Sequence, residues 1–335
     1  MNSIRIKLQD SNKILQGIGI PHSALLSVIF GMMILSFPVG VYVVFHTDIG
    51  NDINFDYPLN EVELFSGLFD FTALNISVGD AFIALWVFYI VLFTIAMFGP
   101  DDGFLKNLST FLSHGKLEVK SNYLVSVTKW FSILILISAI ITYVQEGFGV
   151  PITPPPSDND LVQFFYVTLS PIIEEIGFRG ILIGIPLYAF YSNRTSVKHF
   201  FKSLWSPRSL NIYNSKRAVA IIVIASIVFG LSHILTGDSW SNGKFAQAAA
   251  SGIILGWIYF RVGLIASILI HWATNYFIFS YVDFISQISL ISVEEAFSHS
   301  LINTMEIIFL ISGILSVGVL FLNYYHSKKK EPLQV

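Results

Sequence analysis

Six side chains able to do chemistry, with one phenylalanine beside them, stand in apolar sequence at helical spacing. Glu174, Glu175 and Arg179 fall in PIIEEIGFRG, Phe229 and His233 in FGLSH, and His271 and Asn275 in HWATN. Carboxylates, arginine and histidine are costly in hydrocarbon, so in such segments they mark a site facing a bundle interior. Together they offer a general base, a proton carrier and hydrogen-bond donors, the set that hydrolysis of a buried amide requires.

Consecutive helical residues point about 100° apart, so Glu174 and Glu175 are expected to serve different faces. Glu175 and Arg179, four residues apart, stack as an ion pair. Glu174 is then the carboxylate left to act as a base, unless both acids pair with Arg179 to lock helices together. A glutamate and a histidine can polarise one water between them, which suits Glu174 with His233; the other reading of His233 is a satisfied core group. Phe229, one turn earlier, either walls the site from lipid or simply packs. His271 and Asn275 share a face and both donate hydrogen bonds. They suit an oxyanion hole, with interhelical hydrogen bonding as the alternative.

Metal chemistry has a candidate set as well. Glu174, His233 and His271 could hold zinc, but no HExxH motif places two histidines and a base on one helix. The preferred reading needs no metal or other cofactor. Trp272 is expected to pack.

Positioning these residues requires membrane helices. The chain is 54% hydrophobic and 12% charged, about half the charge of a soluble domain, with a mean hydropathy of +0.68. There is no cysteine, which excludes disulfides and a thiolate nucleophile. A slightly negative net charge with scattered basic residues argues against nucleic acid. Apolar runs long enough to cross a bilayer predict an all-α, polytopic bundle of about eight helices, near 24–45, 81–98, 124–144, 161–191, 218–235, 245–260, 264–282 and 301–324. Ser170-Pro171 is expected to divide the fourth into a lead-in segment and a main helix. Small residues, Gly180 and Gly184 on that helix and Ala248, Gly252 and Gly256 on the sixth, allow close backbone approach.

Loop charge orients the bundle. Arg5, Lys7 and Lys13 precede the first span, while residues 46–80 have no Lys or Arg but do have Asp48, Asp52, Asp56, Glu61, Glu63 and Asp70. Basic residues return at Lys106, Lys116 and Lys120, in the loop from Arg194 to Arg217, and at Lys328, Lys329 and Lys330; Lys244 breaks the alternation. The positive-inside rule then places both termini in the cytoplasm. On this topology Glu174 and His233 should lie toward the outer half of the membrane, and His271 deeper toward the inner half.

The ordered set EExxxR, FxxxH and HxxxN in apolar segments resembles the CPBP family, the type II CAAX prenyl endopeptidases and Abi-like membrane proteins. The resemblance covers roughly residues 161–282, leaving an N-terminal region of three spans (1–160) and a last span with a basic tail (283–335). It implies an intramembrane glutamate protease. Glu174 and His233 would activate water, His271 and Asn275 would stabilise the oxyanion, and Glu175, Arg179 and Phe229 would support the site. The expected partners are the lipid bilayer and a lipidated or membrane-anchored peptide substrate. A non-catalytic binding or immunity protein is the competing function. A proton-coupled transporter is the third, disfavoured by the lack of an inverted repeat.

Overall fold

The computed structural model describes residues 2–51, 59, 76–99, 103–107, 109, 122–152, 159–235 and 241–330. The acidic stretch 52–75 (apart from residue 59), Lys116 and Lys120 lie outside them. Among the described residues every regular element is helical. Six helices are long and apolar enough to cross a membrane: Gly17–His46, Val78–Phe98, Tyr123–Gly147, Lys216–Leu235, Leu264–Ser289 and Ser300–Tyr325. Large apolar side chains such as Val87, Val91, Ile224 and Ile314 stand outward on them, about half exposed or more. The protein is an integral membrane protein.

The other two expected crossings, 161–191 and 245–260, are helical but fall outside those six. The first carries Glu174, Glu175 and Arg179 and is divided among helical elements of 15, 10 and 7 residues. The second is 18 residues long and carries Lys244, Gln247 and Arg261 as well as the small-residue stripe.

The glutamate helix begins at Asp160, where the Asn159 side chain accepts from the Val162 amide. It does not divide at Ser170-Pro171. The α-helix runs through buried Pro171 to Glu174, and the backbone changes only at Glu175, where a π-helical segment, Glu175–Gly184, replaces it before α-helix resumes over Ile185–Tyr191. Proline is tolerated inside a membrane helix when neighbours re-satisfy the backbone, and here it leaves the helix continuous. A second π-helical segment, Ala273–Phe277, interrupts the long helix between Leu264–Trp272 and Ile278–Ser289.

Small residues bring the His233 helix (Lys216–Leu235) against Lys244–Arg261. A Cβ placed on Gly252 would lie 3.0 Å from Ser226 Cβ and 3.1 Å from Ser226 Cα, and one on Gly256 2.9 Å from Ile222 Cγ2. Gly230 answers from the other side, with Phe245 O 2.9 Å from its added Cβ. At Gly184 a Cβ would collide with the Tyr259 hydroxyl, whereas at Gly180 the nearest atom is 4.0 Å away. Only one glycine of that expected pair is therefore used for close approach.

The first two spans pack on the His271 helix (Leu264–Trp272) through an aromatic core. Trp272, fully buried, stacks on Phe37 at 5.2 Å and meets Phe93 edge-on at 5.0 Å. Tyr276 donates to Ser36 O at 3.0 Å and Tyr281 to Met32 O at 3.0 Å. Tyr89 donates to Thr168 O at 2.8 Å, tying the second span to the glutamate helix. The last helix lies along Tyr123–Gly147, where Gly313 leaves room for the Ser132 carbonyl.

The small-residue contact gives a direct stability test. Gly252→Val should cost about 1–3 kcal/mol through overpacking against Ser226, seen as a lower unfolding midpoint in detergent. Gly31→Ala, with nothing within 4 Å of its added Cβ, should leave the midpoint unchanged or higher.

Candidate active site

Glu175 and Arg179 form the expected ion pair, with Arg179 Nη1 2.8 Å from Glu175 Oε1 and the side chains 1% and 0% exposed. The nitrogen is near but not aligned as a hydrogen-bond donor, so attraction between charges dominates. The Arg179 guanidinium also sits 4.4 Å over the Phe229 ring, a cation–π contact that strengthens when water is excluded.

Glu175 does more than neutralise arginine. Its Oε1 lies 2.9 Å from His271 Nδ1. A carboxylate only accepts, so Nδ1 carries the proton and a neutral His271 presents a lone pair at Nε2. That Nε2 is 3.8 Å from Glu174 Oε2. The two neighbouring glutamates thus bracket one imidazole, against the expectation that they serve separate faces. The 100° between them is real, but a ring seated in the angle is reached from both edges.

Glu174 is partly exposed, 26% for the side chain, yet its Oε2 is buried and has no hydrogen-bond partner. A polar separation of 3.8 Å is too long for a direct hydrogen bond. One turn away, Asn275 Nδ2 donates to Ser170 Oγ at 3.4 Å. Ser170 and Glu174 therefore face His271 and Asn275 in antiparallel register, residue 170 opposite 275 and 174 opposite 271. Thr274 completes the corner, donating to His271 O at 2.8 Å and approaching Asn275 Oδ1 at 3.4 Å.

His233 joins through its backbone and through Phe229. Its Nδ1 lies 2.8 Å from Phe229 O; a carbonyl only accepts, so the neutral ring again keeps its lone pair on Nε2. Phe229 meets the His233 ring edge-on at 4.7 Å and the His271 ring at 6.1 Å. Its other side meets Phe178 at 4.9 Å. Glu174, Lys244 and His271 are electrostatic neighbours of His233. The expected depth offset between Glu174 and His271 is absent: their side chains are level.

Ser170 and Thr274 were not foreseen as members of the site. The available signal was spacing, since Ser170 stands four residues before Glu174. Glu306, another intramembrane acid, is exposed and takes no part. Among the described residues, no three His, Cys, Asp or Glu side chains are grouped to hold a metal ion.

Residues 158–277 match the Rce1-like family model of type II CAAX prenyl endopeptidases. This match supports the CPBP family, which the three motifs resemble. It begins just before the glutamate helix and ends with the second π segment, so it contains every residue of the site. Residues before 158 and after 277, including the first three spans and the last, lie outside it. No curated protein and no solved structure matches the chain.

The shared carboxylate predicts a stability effect larger than a surface ion pair gives. Glu175→Ala strands a buried guanidinium and should cost about 3–5 kcal/mol, measured by unfolding in detergent micelles. Glu175→Gln retains an acceptor for His271 without the charge and should fall between alanine and wild type.

Proposed function

We propose that this protein is an intramembrane endopeptidase that cleaves a lipidated or membrane-anchored polypeptide of CAAX type. The reading is carried by one observation: Glu174 Oε2, buried and without a hydrogen-bond partner, lies 3.8 Å from His271 Nε2. The family match supplies the reaction class.

In the proposed mechanism Glu174 and His233 hold the attacking water. Glu174 accepts its proton as the oxygen adds to the scissile carbonyl, and His233, with Nε2 unprotonated when neutral, shares that proton and passes it to the leaving amine. His271 and Asn275 stabilise the tetrahedral oxyanion. Asn275 does so with its amide N–H. His271 must be the imidazolium for this role, because its neutral form has committed Nδ1–H to Glu175 and offers no donor at Nε2. Glu175, Arg179 and Phe229 keep both rings in place. We propose that no metal is required.

Eight crossings with both termini cytoplasmic fit this assignment, the glutamate helix and Lys244–Arg261 supplying the two beyond the six most apolar spans. A purely binding protein would have no use for an unpartnered acid beside two histidines whose Nε2 atoms are left available.

The test is cleavage of fluorogenic prenylated peptides by purified full-length protein. Glu174→Gln should abolish turnover while leaving the unfolding midpoint near wild type. Asn275→Ala should lower kcat by about 10²–10³-fold, the usual loss for an oxyanion donor, with little change in KM. Chelator should leave the rate unchanged. Turnover by Glu174→Gln at the wild-type rate would reject its role as base, and loss of activity on chelation that zinc restores would reject the metal-free step.

A further inference from the structure

Between the glutamate helix and the His233 helix, residues 192–215 form a cap on one face of the bundle. From Ser192 to Arg217 it contains no acidic residue but holds Arg194, Lys198, Lys202, Arg208, Lys216 and Arg217. Its helix, Val197–Trp205, is seated on the bundle by buried Ser203 and by Leu204, whose carbonyl accepts from Tyr259 OH at 2.8 Å. Phe200 packs edge-on against Tyr188 at 5.0 Å.

That seating leaves an apolar stripe turned outward. Val197, Phe201 and Trp205 are 73%, 63% and 47% exposed and recur every four residues, so they share one face. Both ends of the cap enter membrane helices, which sets the stripe at the level where lipid meets water. Amphipathic helices with this arrangement lie in that plane, apolar face toward the acyl chains.

Around the helix from the stripe, past Lys198, a cavity of about 660 Å³ opens beside Lys202 and His199. Arg194, Asn193 and Asn211 contribute to its wall, with the almost fully exposed Tyr213 at its rim. The wall is braced. Arg194 O accepts from Tyr188 OH at 2.7 Å and Ser192 Oγ at 2.8 Å, and Tyr191 OH donates to Asn214 O at 3.0 Å. Asn211 holds a left-handed conformation, φ 50°. Two cations, a histidine and two amides around one cavity form a set of donors for an anion with several oxygens.

We propose that this cavity binds the phosphate-bearing headgroup of an anionic phospholipid, while Val197, Phe201 and Trp205 enter the adjoining acyl region. The site stands apart from Glu174 and His271 and does not depend on the peptidase assignment. Basic pockets at the membrane surface gain from the negative potential of anionic lipid as well as from direct contacts.

The experiment compares full-length protein with the Arg194→Gln/Lys202→Gln pair and with Arg217→Gln, an exposed cation that does not line the cavity. Native mass spectrometry after exchange into phosphatidylglycerol or phosphatidylcholine reads retained lipid, and unfolding midpoints are taken in parallel. Wild type should retain phosphatidylglycerol and gain midpoint from it over phosphatidylcholine. The pair should lose retention by roughly tenfold or more, from two cations near an anionic surface, and Arg217→Gln should behave as wild type. Should the pair fail to fold in phosphatidylcholine, Lys202→Gln alone should show roughly fivefold weaker retention. Equal retention by the variants, an equal loss in Arg217→Gln, or the same stabilisation by phosphatidylcholine would overturn the proposal. Stabilisation by inorganic phosphate alone equal to that by lipid would make this a free-phosphate site and overturn it as well.

Discussion

The Glu175 carboxylate, buried to the last atom, holds the arrangement together by meeting two cation-capable partners at once. Arg179 lies one turn along the same helix, and His271 comes from a helix nearly a hundred residues later. In low dielectric an isolated carboxylate would be very costly, so the fold is constrained to deliver both partners. Delivering His271 there fixes its Nδ1 proton and turns Nε2 toward Glu174. A structural necessity, neutralising one acid, thereby orients the imidazole to which the proposed mechanism gives the oxyanion.

Backbone irregularity occurs where this demand is made. The two π-helical segments, Glu175–Gly184 and Ala273–Phe277, carry Glu175, Arg179 and Asn275, and the second begins two residues after His271. An added residue per turn changes which side chains share a face, and such segments recur at functional sites. Phe229 fills the angle between the helices. It carries Arg179 on its face and both histidine rings at its edges, so a residue with no chemistry of its own sets the spacing of those that have it.

The segments outside the family match have a mechanical role in this setting. The hydroxyls of Tyr276 and Tyr281 reach carbonyls of the first span, and Trp272 is enclosed by Phe37, Tyr89 and Phe93. Because Trp272 follows His271 directly, this aromatic block fixes the depth and rotation of the histidine. Lipid offers no hydrophobic drive between helices, so such interlocking contacts and the glycine approaches carry the association.

From its residues alone the chain declared an all-helical membrane protein, the ion pair of Glu175 and Arg179, and the face shared by His271 with Asn275. All of these depend on composition or on spacing within one helix, where four residues are close to one full turn at either the α or the π pitch. Spacing also showed which glycines could admit a neighbour, but not that Gly184 would be used and Gly180 would not. The sharing of Glu175 with His271, the bracketing of one ring by adjacent acids, the level of His271 beside Glu174 and the uninterrupted passage through Pro171 came only with tertiary structure. The first three are relations between helices distant in sequence, set by tilt, by π-helical pitch and by side chains such as Phe229 and Trp272 that fill the space between them. No periodicity within a single segment encodes how two segments cross.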